Sequence, residues 1–396
     1  MYFPSLDNVQ ALRDETPGCR NVIHFNNAGA ALMPQPVIDV VKQHIDLEAA
    51  IGGYEAAAKS ADQYQNTYAS IARLINCKSE EVGLVVNATR AWDMAFYSFN
   101  FERGDKILTA MSEYVSNYLA FLQVARRTGA EVIPVPNDDS GQLSPDELER
   151  LIDDRVKLIA VTHVPTNGGL VNPASEIGAV ARNHNIPFLL DACQSAGQIP
   201  LDVEDIGCDI LTATGRKYLR GPRGTGFLYV RQKLIPQLEP PFIDLRSADW
   251  TSSGSYSWAT TARRFETWEN NVAGMIGLGV AVDYAMAIGL DRIEDRVVVL
   301  ANELRTRLTE IDGITVHDLG KKKCGIVSLT VDGFSSDDVK EHLAARRINV
   351  TVSAPDSTLL DASNRNLPPI VRASVHYYNT VEEIETLCSC LADLVN

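Results

Sequence analysis

The chain has 396 residues, with 36 lysines and arginines against 51 aspartates and glutamates, a net charge of −15, and 45% hydrophobic and 22% charged residues. That composition supports a large buried core and excludes a compositionally disordered chain. The acidic field argues against nucleic-acid or anionic-membrane partners, which would need a local basic patch; the basic run Lys321-Lys322-Lys323 reads as a solvated turn. Residues 1–7 lack the basic and apolar stretches of a signal peptide, and no apolar run reaches spanning length, so a cytoplasmic location is expected. Seven dispersed cysteines predict reduced thiols, and the dispersed histidines and cysteines show no metal-ligand spacing, so no metal site is expected.

From about residue 70 to 230, short apolar runs alternate with helical patterns. Val82–Val86, Lys106–Thr109, Glu131–Val135, Leu158–Thr162, Pro187–Leu190, Ile210–Ala213 and Gly226–Val230 read as strands, and Val115–Arg127 and Pro173–His184 as helices. Apolar strands separated by helices predict an α/β doubly wound sheet with parallel pairing, whose ligands bind beyond the carboxyl ends of the strands. Residues 249–261 are polar but carry Trp250, Tyr256 and Trp258, which suits a site wall or a subunit contact. A long helical region is expected from Val272 to Ile311. Strands at Ile326–Val331 and Ile348–Val352 around a helix at Ser336–Arg346, with a closing helix at Val381–Leu394, then predict a smaller α+β unit.

The chemistry concentrates at two strand ends. Ile186 to Asp191 is an apolar strand ending in a carboxylate and followed by Ala-Cys-Gln194; taken alone, Asp191 reads as a helix cap. The next strand ends at Thr214-Gly-Arg216-Lys217, which places a lysine beside that aspartate. A lysine amine can form a Schiff base with a carbonyl cofactor, and a neighbouring carboxylate can keep a pyridine nitrogen protonated, the pairing that pyridoxal phosphate chemistry needs. The strand-to-helix turn Asn87-Ala88-Thr89-Arg90 offers free backbone N–H groups and a hydroxyl to an anion, and Arg216 is a second phosphate candidate. Gly221-Pro-Arg-Gly-Thr-Gly226 lacks the spacing of a phosphate loop and reads as a turn that repositions the lysine segment.

Five ordered motifs now stand together: His24-Phe-Asn26-Asn27-Ala-Gly, Thr162-His163-Val-Pro-Thr166-Asn167-Gly-Gly, the Asp191 strand, Gly215-Arg216-Lys217, and Val371-Arg372-Ala-Ser-Val-His-Tyr-Tyr-Asn379. Over nearly the whole chain they resemble the class V aminotransferase and cysteine desulfurase group of fold-type-I pyridoxal phosphate enzymes. The resemblance implies a mainly parallel α/β fold with a smaller α+β domain. Its expected division is an arm at residues 1–20 packing with the small domain, a large cofactor domain at 21–270, and a long helix with the small domain at 271–396.

The resemblance also implies roles. Lys217 would hold the cofactor covalently, Asp191 its pyridine nitrogen and Gln194 its phenolic oxygen. Thr89, Thr214 and Arg216, with the Ala88–Arg90 turn, would bind phosphate. Tyr114 would stack on the ring where desulfurases carry histidine, and Thr166 would lie near it. Arg372 would grip the substrate carboxylate, with Asn27 and Asn167 assisting. His163 reads equally as a packed core histidine or a proton carrier, and Trp92 and Trp268 as core or site wall. A homodimer acting on an amino acid is implied, with residues 249–270 near the partner's site.

Desulfurases carry an attacking cysteine in a loop before the Arg-Ala-Ser motif, whereas residues 350–369 contain none. The expectation is therefore a C–S lyase or aminotransferase near the isopenicillin N epimerase-like and C–S lyase branches, without persulfide formation. An epimerase, or a scaffold protein without catalysis, are the alternatives.

Overall fold

The computed structural model describes residues 5–395; residues 1–4 of the expected arm lie outside the described residues. A seven-stranded sheet runs in the order Val82–Val85, Gly226–Val230, Ile210–Thr214, Phe188–Asp191, Val156–Thr162, Lys106–Ala110, Glu131–Val135. Its inner strands are buried on both faces, which is why they read as unbroken apolar runs. Alternate residues serve opposite cores: Leu108, Ile159, Val161 and Leu190 face one, and Ile107, Leu158, Ala160 and Leu189 face the other.

The parallel expectation holds except at Gly226–Val230, which pairs antiparallel with both Val82–Val85 and Ile210–Thr214. The connection from Thr214, residues 215–225, contains no helix and is too short for a right-handed crossover, so the chain turns straight back. Gly226 is required there. A Cβ on it would meet Ala213 O at 2.7 Å and the Asn87–Ala88 backbone at 3.0 and 3.2 Å, so only glycine lets the Ala88 turn approach the sheet.

The expected long helix is two helices, Val272–Ile288 and Leu290–Thr309, turned 78° at Gly289, whose φ is +94°. The first is apolar on every side and accordingly buried, packed against Gln35–Ile51, Ala61–Ile75 and the sheet. Among the described residues no single helix is long and apolar enough to cross a membrane.

A second sheet, Ile314–Val316, Ile326–Val331, Ile370–Ser374 and Thr351–Ser353 in that order, is antiparallel throughout. With the helices Leu290–Thr309, Ser336–Ala344 and Val381–Val395 it encloses another core, which also takes in Leu12 from the helix Val9–Asp14. The strand expected over Ile348–Val352 divides at Val350: Ile348–Asn349 pairs with Ile23–His24, and Thr351–Ser353 joins the second sheet. The aromatic segment forms a hairpin, Ala248–Ser252 with Ser255–Trp258, that leaves Trp250 82% exposed.

The helix Ala174–Asn183 lies against Val203–Ile206 through Gly178, where an added Cβ would collide with the Ile206 carbonyl. Gly178→Ala should destabilise the protein by roughly 1–3 kcal/mol, the usual consequence of overpacking. A denaturant-unfolding midpoint equal to wild type would contradict this contact.

Candidate active site

The register of the large sheet assembles the site. Thr162 is paired with Asp191, and Asp191 with Thr212, so the carboxyl ends of three adjacent strands gather at one edge, with Ile210–Thr214 running two residues further. Beyond that edge a cleft is lined by Ala88, Thr89, Tyr114, Thr166, Asp191, Gln194, Thr214, Arg216 and Lys217, nine of the residues singled out in the sequence. Asn87, Thr162, Val164 and Cys193 complete the lining.

Lys217 follows Thr214 through the tight turn in which Gly221 N donates to Gly215 O at 2.7 Å. Among the described residues its Nζ has no hydrogen-bond or ion-pair partner in the protein. Burial lowers its pKa below 10.5; Cys193 and Asp191 oppose that shift, and the nearby Arg216 and Arg372 reinforce it. Asp191 is oriented on both oxygens: Oδ1 accepts from Cys193 N at 2.8 Å and Oδ2 from Asn117 Nδ2 at 3.0 Å. Gln194 Nε2 donates to Ala28 O at 3.2 Å, while its buried Oε1 has no partner.

At the anion end, Asn87 caps the helix Ala88–Phe96 by accepting from Arg90 N at 2.8 Å, which leaves the Ala88 and Thr89 N–H groups at the cleft. The Arg90 side chain corrects an expectation. Its guanidinium lies over the Phe242 ring, 4.6 Å from the centroid, and is not part of the cleft wall. Arg216 does line the cleft, and its Nη1 donates to Gly29 O.

Arg372 stands behind Thr166, donating from Nη1 to Thr166 O at 2.9 Å and Oγ1 at 2.7 Å, with a buried, unpartnered Nε. Burial pulls its pKa down to about 10, which leaves it a cation at neutral pH. Asn167 Nδ2 donates to Thr358 Oγ1 at 2.8 Å, and its buried Oδ1 has no partner. Asn27 is a second correction. Fully buried, its Nδ2 serves Ser374 O at 2.7 Å and His24 O at 3.1 Å, and its Oδ1 accepts from Tyr378 OH, so it clasps distant chain segments and has no group left for a substrate.

His163 is a packed residue: burial lowers its pKa to about 4, so it is neutral near pH 7. Trp92 is core, whereas Trp268 is half exposed and away from this cleft. Sequence reasoning missed Cys193, Asn117 and the role of Glu113, a buried carboxylate beside Tyr114. The signals were the two-residue step from Asp191 to Cys193 and the four-residue step from Glu113 to Asn117.

Buried polar atoms are almost always satisfied. An unpaired amine in the cleft and an unused guanidinium N–H one residue layer behind it therefore fit a bound group that carries a carbonyl and anionic oxygens. The aminotransferase class-V family model matches residues 23–387. The chain belongs to that family. It is a pyridoxal-phosphate-dependent enzyme of the lyase or transferase kind.

A probable cysteine desulfurase of Methanothermobacter thermautotrophicus is 29% identical across 100% of this chain and 99% of its own. One from Xylella fastidiosa (strain Temecula1) is 32% identical, covering 93% and 90%. The apo structure of a cysteine desulfurase from Thermococcus onnurineus NA1 matches with a TM-score of 0.89 at 29% identity, over 100% of this chain and 98% of that one. Class V relatives of that name along almost the full length give no support for setting persulfide formation aside on the missing loop cysteine, and that expectation is withdrawn.

Because the Lys217 pKa is lowered, its free base appears at lower pH than that of an ordinary lysine. Reductive methylation of the cofactor-free protein, followed by peptide mass spectrometry, should show Lys217 half-maximally labelled below pH 10.5. A midpoint at or above that of the exposed lysines would contradict the buried, cation-flanked setting.

Proposed function

We propose that this protein cleaves the carbon–sulfur bond of cysteine or a cysteine-like amino acid. The observation that carries the reading is the unpartnered Lys217 amine in a cleft that also holds Asp191, with the Arg372 guanidinium one residue layer behind. The desulfurase names of the relatives add the sulfur substrate.

Pyridoxal phosphate, when bound, supplies an electron sink for the negative charge left when the substrate Cα loses its proton. Lys217 would anchor it and, through Nζ, take and return that proton; its lowered pKa favours the free base needed for the task. Asp191 would hold a proton on the ring nitrogen, and the second N–H of Gln194 would serve the phenolic oxygen. Tyr114 would cover the ring, with Thr166 beside it. The Ala88 and Thr89 N–H groups, the Thr89 and Thr214 hydroxyls and Arg216 would take the phosphate. Arg372 Nε, with Asn167 near it, would receive the substrate carboxylate.

Two copies are expected to pair. The hairpin residues Trp250 and Tyr256 and the neighbouring Phe242, Ile243 and Leu245 are at least half exposed, an apolar surface that suits a second copy and would bring residues 249–270 towards the partner's site. Light scattering should return twice the chain mass; a monomer at micromolar concentration would count against it.

The fate of the sulfur separates two routes. Turnover with cysteine that yields pyruvate, ammonia and sulfide in equal amounts identifies elimination. Alanine with a trapped protein persulfide identifies the desulfurase route that the relatives' names favour, and Cys193 in the cleft is the first thiol to inspect. No sulfur release from any amino acid in a broad panel, alongside keto-acid exchange or racemisation, overturns carbon–sulfur cleavage. Arg372→Lys should raise KM roughly ten- to a hundredfold, the worth of a charged hydrogen bond of about 1.5–3 kcal/mol, while cofactor affinity is unchanged. An unaltered KM would move the carboxylate site elsewhere.

A further inference from the structure

Asp191 faces the cleft, yet among the described residues no cation hydrogen-bonds to it; its outer partner is an amide. Asn117 Nδ2, with two hydrogens to give, sits 3.0 Å from Asp191 Oδ2 and 2.9 Å from Glu113 Oε1, so one NH2 group bridges two buried carboxylates that are 78 residues apart (191 − 113). Its third neighbour, Thr162 Oγ1, is more distant at 3.4 Å.

Glu113 is held far more firmly than a structural surface carboxylate needs to be. Oε2 accepts from Thr162 N at 2.9 Å and Thr109 Oγ1 at 3.1 Å; Oε1 accepts from Tyr114 N at 2.9 Å, Asn117 and Thr162 Oγ1. Every partner is a donor, and they come from the ends of two strands and the start of the following helix. Such a set satisfies a carboxylate, which only accepts, and rejects an amide, whose own NH2 would face donors in either orientation.

We propose that Glu113 and Asn117 are positioning residues for Asp191: Glu113 fixes the Asn117 amide, and the remaining N–H of that amide fixes Asp191 Oδ2 at the cleft. This rests on the pyridoxal phosphate reading. Asp191 then presents a single orientation to the cofactor ring, with Oδ1 tied to Cys193 N and Oδ2 to Asn117, and no side chain has to be recruited when the cofactor arrives. The same carboxylate tethers the backbone of Tyr114 and Thr162, two other residues of the cleft wall.

The test uses the full chain loaded with pyridoxal phosphate. Asn117→Leu keeps the branched outline and removes the bridge; Glu113→Gln keeps the shape and misplaces a donor. Each should shift the visible absorption maximum of the loaded protein. Each should also weaken cofactor half-saturation of the apoprotein by about tenfold or more, the effect of losing a charge-assisted hydrogen bond. In both, kcat should fall with substrate KM little changed. The double variant should lose less than the sum of the two single losses, because Glu113 acts on Asp191 through that amide. If Asn117→Leu does not fold, Asn117→Ser, which cannot reach Asp191, serves instead.

A folded bridge-free variant with wild-type absorption and half-saturation overturns the proposal even if its unfolding temperature drops, since that is the behaviour of a purely structural contact. Additive effects in the double variant overturn the coupling. A wild-type protein that develops no visible band with pyridoxal phosphate overturns the cofactor reading itself and is told apart by that control.

Discussion

The parallel register that seats Thr162 beside Asp191 and Asp191 beside Thr212 is the constraint on which the rest of the structure depends. A slip of one residue would turn Asp191 from its present face to the other and would carry Leu189 and Leu190 into the wrong cores. The apolar residues that fill both faces of the sheet therefore also fix the direction of the carboxylate. Stability and chemistry share one register because Asp191 and Thr162 stand at the ends of strands whose interiors are largely apolar.

Near that edge the buried arginines are occupied by the protein to different degrees. Arg220 illustrates the more occupied kind: buried, it gives an N–H from each of its three nitrogens to Leu32 O, Tyr377 OH and Thr16 Oγ1 and lies near three tyrosine rings. Arg372, at comparable burial, retains an unused Nε. Two buried arginines in one chain thus differ in whether the protein occupies Nε, and the proposed carboxylate role of Arg372 rests on that difference.

Much of this was legible in the sequence. Strands buried on both faces announce themselves as apolar runs, and polar residues just past their ends, such as Asp191 and Lys217, can only be at the carboxyl edge. What could not be read depends on distant partners. Asn27 looked available until Ser374 and Tyr378, more than three hundred residues away, were seen to occupy it. Arg90 belongs to a motif that reaches the cleft, but Phe242 captures its side chain. The antiparallel Gly226–Val230 has the same apolar character as its parallel neighbours, and only the length of its connection distinguishes it. Gly289 was visible, but the sharp turn there is set by what the two helices pack against.

The edge strand Val82–Val85 has a consequence for how the protein is made. It joins the sheet only through Gly226–Val230, about 140 residues further on, whereas the parallel strands of the sheet centre pair with strands nearer in sequence. Contacts of such separation close late, because the intervening chain must first be ordered. On a ribosome, the turn at Ala88 and Thr89 would wait for residue 230, and the Arg372 end of the cleft for almost the whole chain. The two ends of the site thus mature at different times, and a molecule that spans both can bind only the finished fold, drawing the equilibrium toward complete molecules.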